Sequence, residues 1–462
     1  MTLLENAKKK FVAIGLETLL NLSARVSDKD LIRLTYFAEK IARKGKKEED
    51  IVRVIIKARE GIKKGHPWVE LGKRIIRETA PGYKKLMINF FLNSIIFSVS
   101  KRKEIEENEG FYPPSQIVIS PSMKCNLHCQ GCYAWQYKKE DDLSLEVIDR
   151  VINEGKELGI YFYTISGGEP FLRKDLLEVY RKHNDTVFHI YTNGTLLNKE
   201  YTQELVQLGN VIPLISIEGF KKETDARRGK GIYEKVMEAM DNLKEAGVPF
   251  GFSVTHISLN TKVITSEEFI DMLIDKGAIV GWFFQYIPIG QKPDLNLIPS
   301  TEERDLRRRM VLRWRNEKPV VVYDFWNDGP LVKGCIAGGR YLHIINNGDV
   351  EPCVFVHFAV DNIKNKSLKE ILTSSFFRAF QRRQPYKDED EEKPNYLRPC
   401  AIIDHPKFLR DIIRETHAHP TCQDAEEILI GDLAYGLDRR AAEWKEISIP
   451  IWEKAEEYQK YH

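Results

Sequence analysis

The stretch "IVISPSMKCNLHCQGCYAW", residues 117–135, decides how the rest of the chain is interpreted. It begins with a short β-rich run and continues into a loop where Cys125, Cys129 and Cys132 follow the spacing C-x3-C-x2-C. Thiolates at this spacing can hold a cubane iron–sulfur cluster by three of its irons, which leaves one iron without a protein ligand. Such an iron can bind another molecule, as the open position of a catalytic zinc site does. The alternative is a zinc site or a set of buried thiols, with the fourth ligand elsewhere.

Short β-rich runs alternate with helical patterns from residue 115 to residue 290. The runs are IVIS (117–120), IYFYTI (160–165), TVFHIY (186–191), VIPLISI (211–217), FGFSVTHI (250–257) and IVGWFFQYI (279–287). This alternation predicts an α/β fold with a parallel sheet, either doubly wound or a partial barrel. Ligands of such folds bind at the carboxyl ends of the strands, where the cysteine loop lies. After about residue 320 the alternation stops, and Asn347-Gly348 in RYLHIINNGDVEPC predicts a hairpin.

Composition excludes several classes of protein. The chain has 462 residues, of which 30% are charged, yet its net charge is only +2, which argues against a nucleic-acid partner held by bulk positive charge. The start MTLLENAKKK lacks the apolar segment of a signal peptide, and no run of about 20 apolar residues predicts a membrane-spanning helix. Seven cysteines in clusters form a poor disulfide framework and favour metal binding in a reducing, cytoplasmic location.

The cysteine loop, followed by Tyr133, resembles the signature of radical S-adenosylmethionine (SAM) enzymes. SGGEP (166–170) is similar to a second motif of that family. The resemblance implies a [4Fe–4S] cluster whose open iron binds the amino and carboxylate groups of SAM. It also implies that one electron cleaves SAM, and that the resulting 5′-deoxyadenosyl radical takes hydrogen from an unactivated C–H bond. Glu169 would pair with the SAM amino group, and the two glycines would let the backbone approach the ligand closely.

Further SAM contacts are implied at the ends of later strands. SIEG (216–219) stands where the family often has SIDG, so Glu218 would reach a ribose hydroxyl with one extra methylene. In RRGKG, Arg228 would face the SAM carboxylate, with Arg227 as the alternative. Ile287 in YIPIG would lie beside the adenine. The complete set of expected SAM-binding residues is Tyr133, Ser166, Gly167, Gly168, Glu169, Pro170, Thr192, Asn193, Ser216, Glu218, Arg228, Ser253 and Ile287.

The last third of the chain contains four more cysteines. Cys335 and Cys353 follow C-x12-G-x4-C, which resembles the SPASM or shorter twitch extension of radical SAM enzymes. That extension carries auxiliary iron–sulfur clusters, and adding Cys400 and Cys422 makes four ligands for one auxiliary [4Fe–4S] cluster. Two alternatives stay open: Cys400 or Cys422 is an ordinary buried residue, or the metal is zinc. The possible substitute ligands are His405, His417 and His419.

The expected architecture is a partial (β/α)6 radical SAM barrel between a helical region and a small α+β domain. The predicted boundaries are 1–110 for the helical region, 111–300 for the barrel, 320–435 for the SPASM/twitch-like domain and 436–462 for a C-terminal helix. Within the helical region, the apolar segment 86–99 has basic flanks and is too short to span a bilayer. It is interpreted as a membrane-interface helix, part of a lipid tunnel or an ordinary core helix.

The substrate expected from this layout is a lipid alkyl chain, because the chain looks similar to radical SAM enzymes that join hydrocarbon chains in membrane-spanning lipids. This predicts an enzyme in the cytoplasm, in a low-oxygen setting, with a peripheral contact to the membrane. The first alternative is a peptide- or protein-modifying enzyme, and the second is a non-catalytic electron-transfer protein. A low-potential electron donor of the ferredoxin or flavodoxin type is the expected protein partner. The sequence does not predict an oligomeric state.

Overall fold

The computed structural model describes residues 27–42, 49–90, 98–455 and 458. Before residue 110, the described residues form helices only, as expected for this region. Their bounds are Asp28–Ala42, Glu49–Lys63, Pro67–Glu78, Pro81–Phe90 and Ser98–Glu109. Residues 91–97 of the apolar segment 86–99 lie outside the described residues, so the expectations for that segment stay predictions. Among the helices of the described ranges, none is long and apolar enough to cross a membrane.

Twelve strands follow in the described part of the chain. They are β1 (Gln116–Ile119), β2 (Phe162–Ile165), β3 (Val187–Thr192), β4 (Val211–Ser216), β5 (Gly251–His256), β6 (Val280–Gln285), β7 (Val321–Asp324), β8 (Tyr341–Ile344), β9 (Asp349–Glu351), β10 (Phe358–Ala359), β11 (Asp361–Asn362) and β12 (His419–Pro420). The first six coincide with the six predicted β-rich runs. This agreement confirms the α/β fold inferred from their alternation with helical patterns.

Ten of these strands form one sheet in the order β11-β9-β8-β1-β2-β3-β4-β5-β6-β7. All neighbours from β8 to β7 are parallel, whereas β8, β9 and β11 pair antiparallel. The helices between the parallel strands are Leu145–Glu157, Leu176–Lys182, Lys199–Leu208, Lys221–Arg228, Ile232–Ala246, Thr261–Ile264, Glu267–Asp275 and Thr301–Glu317. They provide the crossovers that parallel strands need.

Two parallel strands lie beyond the region where the alternation was expected to stop. β7 pairs with β6, after the helix Thr301–Glu317, and β8 pairs with β1 at the opposite side of the sheet. β7 was missed because its four residues, VVYD, are too few to show a period. The predicted hairpin is confirmed, since β8 and β9 are antiparallel neighbours around residues 345–348. The sheet is therefore continuous across the proposed boundary near 300–320, and the domain limits themselves stay predictions.

The sheet curves around a single cavity. Gln116 of β1, His189 of β3, Trp282 of β6 and Tyr341 of β8 all line it, although five strands separate β8 from β6 in the sheet. Successive side chains of a strand point to opposite faces. The alternate residues Ile117 and Ile119 are fully buried in the apolar core. One face of the parallel strands therefore encloses the cavity, as expected for a partial barrel.

The C-terminal region packs on this barrel through helices Leu368–Leu372, Ser375–Arg383, Pro406–Thr416 and Gly431–Lys454. A buried ion pair joins the two parts: Arg304 Nη1 of the barrel lies 2.6 Å from Asp404 Oδ1. The guanidinium of Arg304 also lies 4.3 Å from the ring centre of Trp444 in the last helix. Breaking such a buried pair costs about 3–5 kcal/mol, so Arg304 anchors the C-terminal region to the barrel.

Candidate active site

The cysteine loop follows β1 at the carboxyl edge of the sheet. Cys125, Cys129 and Cys132 line the same cavity, whose empty space is about 1370 Å³ including its solvent-open part. Burial raises the pKa of Cys125 to about 11 and also raises that of Cys132. Metal binding must therefore displace protons from these thiols.

The donors around the loop fit a cluster with an open position. Arg228 Nη1 lies 4.0 Å from Cys129 Sγ, and Arg227 and Arg228 are the cationic residues on the cavity wall in the described part of the chain. The two guanidiniums suit an anionic thiolate cluster and an anionic ligand group.

SGGEP packs directly on the cysteine loop. Gly168 N donates to Ser122 O at 3.0 Å, and Glu169 N donates to Lys124 O at 2.9 Å. A Cβ atom on Gly168 would lie 2.0 Å from Lys124 O, and Gly167 has φ +105°. The two glycines therefore serve the close approach of two backbones, and both also line the cavity. The sequence analysis had attributed them to the approach of a ligand alone.

Tyr133 connects the two motifs through its side chain. Its hydroxyl lies 2.7 Å from Ser166 Oγ, and both residues line the cavity. Burial raises the pKa of Tyr133 to about 12, so the phenol stays protonated at physiological pH. This hydrogen bond keeps the loop and SGGEP in one orientation.

Glu169 lies beneath the cavity wall rather than on it. Its carboxylate accepts hydrogen bonds from Asn193 N at 2.7 Å, Thr192 Oγ1 at 2.8 Å and Phe171 N at 3.0 Å. Burial raises its pKa to about 7 despite these donors. Glu169 therefore ties SGGEP to the end of β3. The expected contact with the SAM amino group stays a prediction.

Glu218 is also fully engaged by protein donors. Its Oε1 accepts from Arg227 Nη1 at 2.5 Å and from Arg228 Nη2 at 2.5 Å, and its Oε2 accepts from Thr255 N at 2.9 Å. The side chain is only 1% exposed. The carboxylate thus holds both guanidiniums beside the cysteines. The expected ribose contact through Glu218 stays a prediction.

The structure brings most of the other expected SAM-binding residues to the cavity. Ser216 Oγ and Ser253 Oγ are 3.2 Å apart, and Ile287 lies on the same wall. Thr192 and Asn193 also line it, and Asn193 Nδ2 lies 3.9 Å from Cys125 Sγ. Pro170 instead begins the turn Pro170–Leu172, in which Pro170 and Phe171 are buried, and it does not line the cavity.

The sequence analysis missed the aromatic part of the cavity, termed here the aromatic chamber. Its residues are Phe162, His189, Tyr191, Trp282, Phe284, Phe325, Tyr341 and Phe355. Burial lowers the pKa of His189 to about 4, so its imidazole is neutral at physiological pH. Aromatic side chains at alternate positions, Trp282 and Phe284 within VGWFFQ, were the available signal, because alternate residues share one face of a strand.

Three of the four C-terminal cysteines form a second group. Cys335 has its pKa raised by burial and by its neighbours Cys400 and Cys353. Burial raises the pKa of Cys353 to about 12 and that of Cys400 to about 11. Two aromatic donors approach these sulfurs: Tyr341 Oη donates to Cys353 Sγ at 2.6 Å, and the Trp326 side chain hydrogen-bonds with Cys400. Three thiols with directed donors suit an auxiliary iron–sulfur cluster.

Cys422 has different neighbours. Its Sγ lies 3.1 Å from His357 Nδ1, and it packs beside Tyr137 near the first cysteine loop. The three histidines proposed as substitute ligands have other positions and contacts. His405 bonds to Asp388 and Arg398, His417 ends the helix Pro406–Thr416, and His419 is an exposed residue of β12. The expectation that Cys422 completes a set of four ligands therefore stays a prediction.

Comparisons with known proteins agree with this geometry. Residues 119–275 match the model of the radical SAM superfamily, and residues 335–401 match that of the SPASM iron–sulfur cluster-binding domain. The chain is 25% identical to the AdoMet-dependent heme synthase of Methanosarcina barkeri, over 56% of this chain and 82% of the relative. It is 27% identical to the mycofactocin maturase MftC of Mycolicibacterium smegmatis, over 64% of this chain and 77% of the relative.

Solved structures show a similar fold. SuiB of Streptococcus suis bound to S-adenosylmethionine matches with a TM-score of 0.53 and 20% identity, over 65% of this chain and 75% of SuiB. The same protein bound to its precursor peptide SuiA also matches with a TM-score of 0.53, at 19% identity, over 65% of this chain and 74% of SuiB.

Proposed function

Because this chain belongs to the radical SAM superfamily and has a C-terminal SPASM domain, we propose that it removes hydrogen from an unactivated C–H bond in a peptide or protein. The chain is an enzyme whose cofactors are a [4Fe–4S] cluster, S-adenosylmethionine and auxiliary iron–sulfur chemistry in the SPASM domain. When bound, these groups supply the one-electron chemistry that an inert C–H bond requires. A reductant must provide the electron.

The residues that would hold the first cluster are Cys125, Cys129 and Cys132. Arg227 and Arg228, oriented by Glu218, would attract the carboxylate of S-adenosylmethionine next to the open position. Tyr133 and Ser166 would fix the loop against SGGEP while the ligand binds. These assignments follow from the shared cavity wall.

The observation that carries the proposal is the continuity of the cysteine wall with the aromatic chamber. The chamber residues are aromatic and neutral, since the pKa of His189 is lowered to about 4. In the described part of the chain, the cations of the cavity lie at the cysteine end only, at Arg227 and Arg228. A charged substrate group would lose its water in this chamber without gaining a partner. The reacting group is therefore an uncharged side chain, and the apolar walls keep water from the reactive centre.

The peptide class is supported by the relatives. The mycofactocin maturase MftC and the sporulation killing factor maturation protein SkfB of Bacillus subtilis are maturation proteins by name. Heme synthases are similar to this chain to a comparable degree. A propionate group of a porphyrin would bring negative charge into the neutral chamber, which favours the peptide class.

A lipid alkyl chain is the second candidate, and the aromatic chamber is the observation that favours it. An alkyl chain would bury apolar surface there at about 25 cal/mol per Å². The expected peripheral contact with a membrane belongs to this candidate. The relatives named here are maturation proteins and heme synthases, and none of them is a lipid-modifying enzyme by name. The peptide class is therefore preferred.

Deuterium transfer distinguishes the candidates. Anaerobically reconstituted protein is mixed with dithionite, SAM and either a peptide fraction or a lipid extract from cells grown in heavy water. Deuterium in the recovered 5′-deoxyadenosine with the peptide fraction supports the proposal, whereas deuterium only with the lipid extract replaces it by the second candidate. Absence of 5′-deoxyadenosine under all conditions contradicts radical SAM activity. Cys132→Ala is the negative control.

A Phe284→Ala variant tests the role of the chamber. It removes an aromatic wall but leaves the cysteine loop, so 5′-deoxyadenosine should still form without substrate. Deuterium transfer from the substrate should fall at least tenfold, because the reacting C–H bond is no longer held in place. Unchanged transfer would show that the substrate reacts outside this chamber.

A further inference from the structure

A second groove lies on the outside of the barrel beside Cys335. The helix Ser98–Glu109 and the segment around Cys335 form its walls, and it shares no lining residue with the cavity that holds the aromatic chamber. Cys335 is one of the three grouped cysteines of the SPASM domain. The groove is therefore a surface that reaches the auxiliary cluster site without passing through the substrate chamber.

Positive charge dominates this groove. Its charged lining residues are Arg102, Glu106, Lys333, Arg340 and Arg378. In the part of the chain that the structure describes, none of the four cations forms a salt bridge with a carboxylate. Elsewhere, buried arginines such as Arg304 and Arg307 are paired with Asp404 and Asp324. A cluster of cations with one carboxylate creates a local positive potential although the whole chain is nearly neutral.

Two of these cations are held in place and two are exposed. Arg102 Nη1 donates to Gly159 O at 3.4 Å, and Arg378 Nη1 donates to Gly110 O at 3.0 Å. Lys333 and Arg340 are exposed on the rim. The groove thus combines a fixed positive base with long side chains that can reach a partner.

The backbone at Lys333 adopts a conformation that residues with a side chain rarely take. Lys333 ends the short helix Gly329–Val332 with φ +58° and ψ +51°, a left-handed conformation that glycine adopts more easily. A non-glycine residue there costs about 1 kcal/mol or more. A lysine two residues before Cys335 places a positive charge beside the auxiliary cluster site at this cost.

We propose that this groove docks an acidic one-electron carrier protein of the flavodoxin type next to the auxiliary cluster. The inference rests on the proposed function, because the carrier would exchange electrons with a radical SAM enzyme. An acidic protein surface complements the four cations and would be steered towards Cys335 by long-range attraction. The carrier and the substrate would occupy different openings, so both can be bound at once.

Charge reversal at the rim tests the docking site. The double variant Lys333→Glu/Arg340→Glu is compared with Lys222→Glu/Lys235→Glu, which changes the net charge equally at exposed lysines of Lys221–Arg228 and Ile232–Ala246. Binding of a purified acidic flavodoxin to the reconstituted holoenzyme is measured at low and high salt. We expect at least a tenfold loss of affinity for the rim variant, less than a threefold loss for the control, and weaker binding at high salt.

A kinetic readout separates docking from general damage. Reduced flavodoxin should reduce the auxiliary cluster of the rim variant at least tenfold more slowly, while dithionite reduces it as in the unmodified enzyme. Equal losses in both double variants, or an unchanged rim variant, would overturn the docking site. Binding of millimolar inorganic phosphate that is lost in the rim variant, with the affinity for flavodoxin unchanged in that variant, would reassign the groove to a small anion. Failure of SAM cleavage with dithionite would instead contradict the proposed function, so the two failures are distinguishable.

Discussion

The hydroxyl of Tyr341 donates a hydrogen bond of 2.6 Å to the sulfur of Cys353, and the same tyrosine lines the aromatic chamber. One side chain thus belongs to the substrate cavity and to the auxiliary cysteine group. A hydrogen bond to a ligating sulfur stabilises the more negative, reduced cluster and raises its reduction potential. With Cys353 as a ligand of the auxiliary cluster, Tyr341 would connect the aromatic chamber with the redox properties of that cluster.

Tyr341→Phe should lower the reduction potential of the auxiliary cluster and leave its iron content unchanged. If the bond favours the reduced form by about 1 kcal/mol, the expected shift is about 40 mV for one electron. A redox titration followed by electron paramagnetic resonance measures it. Tyr83→Phe is the matched control, because Tyr83 is equally buried but donates to Leu205 O and Val211 O. Equal potentials in Tyr341→Phe and the unmodified enzyme would contradict a role for this hydroxyl.

Iron content should show which cysteines bind the first cluster, which bind the auxiliary cluster and which bind neither. The unmodified enzyme should bind about eight irons per chain, and loss of either cluster should leave about four. Replacing Cys125, Cys129 or Cys132 by Ala should abolish SAM cleavage, whereas Cys400→Ser should retain cleavage and lose auxiliary iron. Cys422→Ser should retain both clusters, because Cys422 lies beside His357. Loss of about four irons in Cys422→Ser would show that Cys422 is the fourth ligand of the auxiliary cluster.

Glu218→Gln should weaken the binding of SAM without removing the first cluster. The neutral amide no longer balances Arg227 and Arg228, and unpairing buried charges costs about 3 kcal/mol or more of unfolding free energy. We expect at least a tenfold increase in the KM for SAM at normal iron content. Glu234→Gln, which removes an exposed partner of Lys221, should change neither the KM nor the stability by more than about 1 kcal/mol. A normal KM in Glu218→Gln would mean that the arginines need no fixed partner.

Acid sensitivity should depend on His189. Its pKa is lowered from 6.5 to about 4 in the folded protein, so unfolding takes up a proton when the pH lies between these values. The stability associated with the neutral imidazole is complete above about pH 6.5 and is lost as the pH falls towards 4. From pH 7.5 to pH 5 this loss amounts to up to about 2 kcal/mol. Denaturant unfolding at both pH values should show a smaller loss for His189→Phe. An equal loss in both proteins would place the acid sensitivity at other groups.

Much of the barrel could be predicted because its signals are local. Six strands and their crossovers followed from runs of β-branched residues alternating with helical patterns, and Asn347-Gly348 indicated the hairpin. The cysteine spacing and SGGEP lie in single loops, so they were visible without a fold. VVYD was missed because a four-residue strand after an arginine-rich helix shows no clear period.

The tertiary structure changed the interpretation of several side chains. The SAM contacts expected for Glu169 and Glu218 stay predictions, and the structure adds that each carboxylate accepts hydrogen bonds from neighbouring strands. Cys422 was grouped with the other C-terminal cysteines because counting to four suggests one cluster. The pairing of β10 with β12 places it beside His357, and its role as a cluster ligand stays a prediction. Contacts between residues far apart in sequence cannot be deduced from spacing.

The sequence by itself determined the chemistry at the carboxyl end of the first strand. Three thiols at the spacing C-x3-C-x2-C and the two glycines of SGGEP resemble the radical SAM signature wherever those loops lie, because the spacing of residues within a loop is a local property. Only the tertiary structure decided what faces that site. The aromatic chamber, the pairing of Glu218 with two arginines and the bond from Tyr341 to Cys353 all arise where the sheet curves and brings distant strands together. Burial and distance, which decide charge and hydrogen bonding there, are properties of the folded chain alone.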